Sequence, residues 1–395
     1  MHSPPAFERD PYLKELETTI LATGAEGDRE FAVLADTVLY PEGGGQPADR
    51  GHLGEVAVVD VQSREGVIRH FVDHRVEPGP VTVHLDWRRR FDHMQQHTAQ
   101  HLITAVADDR FGWPTTAFHL GEQLCDIELD VGSLAPVELE MLEEAVVHEI
   151  RDAHRVTARR VSPENLATLE VRTRGLPAGH RGDVRLVEIA GLDLNTCGGT
   201  HLSSTAEIEA VKLLGTEPMR GGTRLTWVAG GRVRARLATH EARTGRLRAL
   251  LGAPDDEIAA ALEARLEQGH LLEKRARALE AELAGALAEA LAAGADPVVS
   301  AHFEGKDAAF LQHLGRRLST SGKAALLTAS LGDQAFFVLV VGEKLANDAQ
   351  SVGREIAEIL GGRGGGSGRI FQGKAGSLAS RDAALAKLLE RAARA

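Results

Sequence analysis

Four side chains in two short motifs carry the clearest chemical signal in this sequence. His97 and His101 form H-x-x-x-H, and Cys197-Gly198-Gly199-Thr200-His201 forms C-x-x-x-H. Three imidazoles and a thiolate are the donors that suit a borderline-soft transition metal, and zinc takes such a set tetrahedrally. On a helix, positions i and i+4 share one face about 6 Å apart, so two imidazoles can grip one ion. His93 stands one turn before His97, and spacing alone does not choose between the 93/97 and 97/101 pairs. A metalloprotease reading needs Glu directly after the first His; Thr98 stands there, so H-E-x-x-H fails. Four protein ligands make a closed structural site, whereas three plus water make an open catalytic one. The sequence supplies four donors, while His93, Gln95 and His119 offer polar lining for a pocket. Both readings stay open at this point.

The elements that must position these groups follow from periodicity. Phe91, Met94, Thr98, Leu102, Ala105 and Val106 recur near helical spacing, which predicts a helix over residues 88–112, stopped by Gly112-Trp113-Pro114. Residues 12–88 read as β-rich, with short runs at 16–21, 31–34, 38–40, 56–61, 66–72 and 80–85 separated by Gly, Asp and Pro. Such spacing predicts a small barrel or sandwich. Within it lies Tyr40-Pro41-Glu42-Gly43-Gly44-Gly45-Gln46, where glycine lets the backbone approach a ligand or simply turn sharply. Beyond the helix come a strand over 115–129, a helix over 136–154, strands at 156–161, 184–189, 207–213 and 222–228, and a loop at 175–182. That alternation predicts an α+β domain with a mostly antiparallel sheet packed by helices.

Residues 255–293 are rich in Ala, Leu, Glu and Arg, and Leu272, Ala276, Leu279, Leu283, Ala286 and Ala290 follow a 4-3-4-3-4 seam. Such a seam suits a coiled-coil-like pairing within the chain or with a second copy; a single helix packed on its own domain is the plain alternative. The last hundred residues read as an α/β module, with strands at 324–329 and 335–341, helices at 311–318, 349–360 and from 380, and a glycine-rich loop at 361–368. The expected division is therefore 1–88 (barrel), 89–245 (metal-binding domain), 246–295 (helical, dimerisation) and 296–395 (C-terminal module).

The formal charge of −12 argues against a general nucleic-acid coater, but it hides a local excess. From Arg220 to Arg248 every basic residue is Arg and Glu241 is the single carboxylate, so Arg220, Arg224 and their neighbours are candidate phosphate contacts, with a solvated helix face as the alternative. Arg363, Arg369 and Lys374 flank the glycine run and are candidates of the same kind. That run misses a phosphate loop because Ala375 replaces the Ser or Thr after Lys374. Two cysteines make no disulfide framework, the N-terminus has no apolar signal segment, and no stretch approaches a membrane span, so a cytoplasmic protein without membrane contact is expected.

Taken together, His97-Thr98-Ala99-Gln100-His101, Cys197-Gly198-Gly199-Thr200-His201, the Tyr40–Gln46 motif and Arg90-Phe91-Asp92-His93-Met94-Gln95-Gln96 resemble the free-standing alanyl-tRNA editing proteins (AlaX), which are similar to the editing domain of alanyl-tRNA synthetase. The run from 361 to 373 resembles the C-terminal module shared by that synthetase and DHH-type phosphoesterases, so the likeness is to the long form of the family, without an aminoacylation domain. The resemblance implies a zinc-dependent hydrolase that removes serine, and secondarily glycine, from mischarged tRNA(Ala). It implies one Zn2+ per chain on His97, His101, Cys197 and His201. It also implies a loop of Gly43, Gly44, Gly45 and Gln46 near the tRNA 3′ end, and an amino-acid pocket lined by Thr116 and His119. A tRNA-binding protein with a structural zinc, and an editing hydrolase for another tRNA such as tRNA(Thr), are the rival readings.

Overall fold

The computed structural model describes residues 3–173, 182–343 and 349–394. The loop expected at 175–182 lies outside the described residues except for Gly182. The chain divides into two compact units, Met1–Arg246 and Leu247–Ala395. Among the described residues, no helix is long and apolar enough to cross a membrane.

The first unit opens with a short helix α1 (Ala6–Arg9), then six strands: β1 (Glu15–Glu26), β2 (Arg29–Leu34), β3 (Gly51–Leu53), β4 (Val56–Arg64), β5 (Val67–Val72) and β6 (Gly79–Leu85). They close into an antiparallel barrel in the order β1-β2-β5-β4-β3-β6. Closure leaves no unpaired edge, and alternate residues such as Ile20, Ala32, Val58, Val61 and Val83 fill the interior. Residues 38–40 are not a strand. They open an irregular loop that runs to Asp49, and the strand that closes the barrel is the three-residue β3 instead.

Helix α2 (Trp87–Phe111) follows directly. The Asp86 side chain caps its start by accepting from the Arg89 amide, and Gly112 ends it in the left-handed region at φ 67°. Every residue from His93 to Ala107 is buried. It packs against α3 (Pro136–Arg151) and against β7 (Thr115–Leu120) and β8 (Cys125–Leu129). The single strand expected over 115–129 is thus a hairpin. The remaining strands are β9 (Val156–Val161), followed by a one-turn α4 (Pro163–Leu166), then β10 (Val184–Ile189), β11 (Asp193–Thr196), β12 (Val211–Met219) and β13 (Gly222–Ala229). They form an antiparallel four-stranded sheet, β12-β13-β8-β7, and a three-stranded one, β11-β10-β9. The strand expected over 207–213 begins only at Val211, because Thr205–Ile208 form a 3-10 turn. Helix α5 (Gly231–Leu251) buries none of its residues.

The second unit holds α6 (Ile258–Ala293), β14 (Val298–Glu304), α7 (Ala308–Leu318), β15 (Ala324–Leu331), β16 (Gln334–Val340), α8 (Ala349–Ile359), β17 (Arg363–Ser367), β18 (Ile370–Ala375) and α9 (Arg381–Arg394). Its sheet runs β14-β15-β16-β18-β17, parallel only between β14 and β15. Strand alternation splits the core. Ala325, Leu327 and Val338 meet α6 and α7, while Leu326, Phe337 and Leu339 meet α8 and α9.

Two expectations change here. The glycine run is a strand, not a loop. It pairs with β18 so closely that a Cβ at Gly364 or Gly366 would fall 2.3 or 2.0 Å from a β18 carbonyl oxygen, which excludes any other residue. The α6 seam also does not face its own unit. Leu272, Ala276, Leu279, Leu283, Ala286 and Ala290 are all exposed, and α6 packs on α7 through Ala284 and Ala288 with Leu287 and Leu291.

Candidate metal centre and its cavity

The donor atoms of His97, His101, Cys197 and His201 all lie within 4.8 Å of one another, and His93 is not among them. Cys197 Sγ is 3.4 Å from His97 Nε2 and 3.2 Å from His201 Nε2. Donors at about 2.0–2.3 Å from a central tetrahedral ion stand at such separations from one another. Helix α2 provides the first pair by i,i+4 spacing. The β10–β11 hairpin delivers the second pair, because Cys197 follows β11 directly. Arg185 on β10 then donates through one nitrogen to the carbonyls of Cys197 and Gly199, both at 2.9 Å, and so shapes the turn between them.

Each imidazole is held from behind through Nδ1. His97 Nδ1 donates to Gln46 Oε1 at 2.8 Å, and His101 Nδ1 donates to Asp193 at 3.1 Å. His201 Nδ1 shares a hydrogen bond with Thr98 Oγ1 at 3.2 Å, and Thr98 Oγ1 also accepts from the Leu202 amide. Engaging every Nδ1 leaves every Nε2 as a metal donor, which is how metal-site histidines are oriented. Burial opposes ionisation of Cys197, yet the neighbouring His97 and His201, with hydrogen bonds from His101 and His201, hold its thiol well below the ordinary range. Burial would also lower His101, but Asp193 and then Cys197 raise it to about 9. Burial, then His97, lowers His201 to about 3. A ready thiolate, imidazole rings anchored through Nδ1 and soft-to-borderline donors fit a single zinc ion.

His97, His101 and Cys197 form part of the wall of a cavity of about 480 Å³ that is also lined by Gly44, Gly45, Gln100, Thr104, Thr115 and Phe118. Gln100 donates through Nε2 to Thr104 Oγ1 at 2.9 Å, while its buried Oε1 has no partner. Arg172 and Asp108 also line the cavity, and Arg172 reaches Asp193 at 3.2 Å.

Several expected site residues sit elsewhere. Thr116 and His119 do not line the cavity. A bulge between Thr115 and Ala117 resets the face of β7, so Thr115 and Phe118 point in, Thr116 bonds the Glu128 carbonyl outside, and His119 pairs with Asp126. Gly44 and Gly45 reach the cavity; Gln46 is fully buried behind His97. Arg224 pairs with Asp126 and Glu128. Arg369 donates to the carbonyls of Val341, Ser319 and Lys323, a clamp on its own module and not a free cation. Lys374 reaches Gln334 at 3.3 Å. Arg220, Arg236, Arg243, Arg246 and Arg363 form no ion pair among the described residues. Asp193, Thr98, Gln100 and Arg185 are the functional candidates that sequence reasoning did not single out as such. Thr98 and Gln100 stood inside the H-x-x-x-H motif, but nothing in their spacing marks them.

A family model described as "Threonyl and Alanyl tRNA synthetase second additional domain" matches residues 184–225, which include Cys197 and His201. A Mus musculus protein named alanyl-tRNA editing protein Aarsd1 is 35% identical, with 96% of each chain covered. The Pyrococcus horikoshii alanyl-tRNA editing protein AlaX-L is 34% identical over 53% of each chain. A solved C-Ala domain of Aquifex aeolicus alanyl-tRNA synthetase matches 24% of this chain and 87% of its own at 25% identity, with a TM-score of 0.22, too low to carry an argument about fold. With a relative at 35% identity across nearly the full length, the chain belongs to the alanyl-tRNA editing protein family.

Proposed function

We propose that this protein is a zinc-dependent aminoacyl-tRNA deacylase that edits mischarged tRNA(Ala) in trans, removing serine chiefly and glycine secondarily. One observation carries the reading: Gln100, whose buried Oε1 has no partner, lines the same cavity as His97, His101 and Cys197. A bound divalent ion supplies Lewis-acid polarisation of an ester carbonyl or of water. The protein groups then decide which ester is accepted. The serine hydroxyl donates to Gln100 Oε1; alanine leaves that oxygen buried and unpaired, at a cost of about 1–3 kcal/mol. Sites that read a hydroxyl in this way reject the analogue lacking it far more strongly than a purely apolar pocket rejects an added group. Glycine also leaves that oxygen unpaired, which makes it a weaker substrate than serine. Membership of a family whose relatives are named for alanyl-tRNA editing supports the tRNA assignment.

The proposal includes a cytoplasmic site of action and a homodimer through residues 255–293 and the C-terminal module, supported by the exposed α6 seam. Arg220, Arg236, Arg243 and Arg246, which form no ion pair among the described residues, are its RNA phosphate contacts, with Arg363 in the C-terminal module. The completeness of the four-donor set favours a second reading, a structural zinc in a tRNA-binding protein.

The test is deacylation of Ser-, Gly- and Ala-tRNA(Ala) and of Ser-tRNA(Thr), for wild type and Gln100→Leu. Ser-tRNA(Ala) is expected to turn over fastest. Gln100→Leu is expected to narrow the Ser/Ala rate ratio about 10–100-fold, the equivalent of one lost buried hydrogen bond. An unchanged ratio removes Gln100 from this role. Faster turnover of Ser-tRNA(Thr) moves the enzyme to the other tRNA.

A further inference from the structure

We infer that Gln46 is a positioning residue of the metal centre: its amide fixes the tautomer of His97 and ties the Cys197–His201 turn to the barrel loop. The inference rests on the metal reading of the site, and it gives the glycine-rich loop a task other than contacting substrate.

Gln46 is fully buried, and both ends of its amide are used. Oε1 accepts from His97 Nδ1 at 2.8 Å and from the Thr200 backbone N–H at 3.0 Å; Nε2 donates to Thr200 Oγ1 at 2.9 Å. A carboxamide oxygen only accepts, so His97 carries its hydrogen on Nδ1 and presents the Nε2 lone pair to the cluster. Flipping the amide would set its NH₂ against the Thr200 N–H, so the orientation is determined by the backbone. Gly199 marks how closely the turn packs here. A Cβ on it would lie 2.2 Å from His97 Cε1 and 2.8 Å from Gln46 Oε1.

The loop that carries Gln46 is itself nailed down. Gly43 and Gln46 exchange backbone hydrogen bonds at 3.1 and 2.9 Å, and the Tyr40 hydroxyl donates to the Gly43 carbonyl at 2.8 Å. At the far end Asp49 accepts from the Tyr40 amide and pairs with Arg90, and both Asp49 and Arg90 are fully buried. Arg90 and His97 share helix α2. The loop therefore spans two points of one helix and carries rigidity from Arg90 to the ring of His97. Outer partners of this kind typically alter metal affinity about 10–100-fold when removed.

Two measurements test this. In metal-free wild type, ¹⁵N NMR of the histidine rings reads the tautomer directly. Imidazole free in water favours Nε2–H, so Nδ1–H on His97 is the expected result, and Nε2–H overturns the inference even if the protein binds metal. Second, Co²⁺ titration followed by the thiolate charge-transfer band compares wild type, Gln46→Ala and Gln46→Glu. Gln46→Ala is expected to bind Co²⁺ about 10–100-fold more weakly, and Gln46→Glu, which keeps an acceptor facing His97, to recover most of that loss. Wild-type affinity in Gln46→Ala overturns it. A wild-type protein that binds no Co²⁺ while His97 shows Nδ1–H would refute the metal reading and leave the latch standing. If Gln46→Ala fails to fold, the wild-type tautomer decides alone.

Discussion

Helices α2 and α6 both stand out in the sequence as long periodic stretches, and they end in opposite environments. In α2 every residue from His93 to Ala107 is buried, including polar ones that a solvent-facing helix would leave to water. Several find partners far along the chain: Gln96 bonds the backbone of Ala229 both ways, Thr98 holds His201, and His101 meets Asp193. In α6 only Ala284 and Ala288 are buried, and Leu262, Leu266, Leu272, Leu279 and Leu283 remain exposed. The difference teaches that periodicity identifies a helix but not its surroundings. A polar stripe becomes a site only when other segments supply partners for it, and an apolar stripe without one is a surface.

The comparison can be broken most forcefully at the Arg90–Asp49 pair. Arg90→Met leaves Asp49 buried and uncompensated, an expected loss of about 3–5 kcal/mol in denaturant melts. A loss under 1 kcal/mol would mean that α2 is not anchored as described. Leu102→Ala, at a fully buried position, is expected to cost about 2–5 kcal/mol. The matching change on α6, Leu272→Glu with Leu279→Glu, is expected to leave monomer stability within about 0.5 kcal/mol. In light scattering it is expected to convert dimer to monomer. A wild type that is already monomeric at micromolar concentration sinks the dimer proposal.

The smallest expected effect is one of pH. Burial, then the charges of Arg89 and Arg232, pushes His93 down to about 3 from its ordinary 6.5. A depressed histidine is neutral in both states above 6.5, so the full stability is present there. Below 6.5 the unfolded chain takes the proton first, and stability falls until the folded pKa near 3 is passed. His93→Gln is expected to flatten this acid limb between pH 6.5 and 5, and an unchanged slope would show that His93 is solvated.

The four-donor cluster was legible because its signal is local. His97, His101, Cys197 and His201 declare their chemistry by type and spacing whatever fold surrounds them. The helix bearing the first pair was legible too, since Gly112 and Pro114 mark its end. What escaped depended on contacts distant in sequence or on single-residue irregularities. Asp193 and Gln46 act only because folding brings them behind an imidazole, and nothing in Leu192-Asp193-Leu194 or in a glycine loop announces that. Thr116 and His119 were expected in the pocket from the family resemblance, and the bulge in β7 leaves both outside the cavity. The three-residue β3 is too short to leave a periodic trace, although it joins β4 to β6 and closes the barrel. Glycines at 364 and 366 read as a loop because strand propensity ignores how closely two backbones can approach.

On the proposed function, the four-donor cluster holds a zinc ion on which deacylation depends. The direct measurement is metal content and Ser-tRNA(Ala) deacylation on the same samples: as purified, after chelation, after Zn²⁺ is restored, and for a folded Cys197→Ala. Activity is expected to track one zinc per chain through removal and return. Cys197→Ala is expected to be slower by on the order of 10³-fold, since metal polarisation is worth several kcal/mol. A metal-free protein that deacylates at the full rate would contradict the account, and a Cys197→Ala that unfolds on losing zinc would make the ion structural.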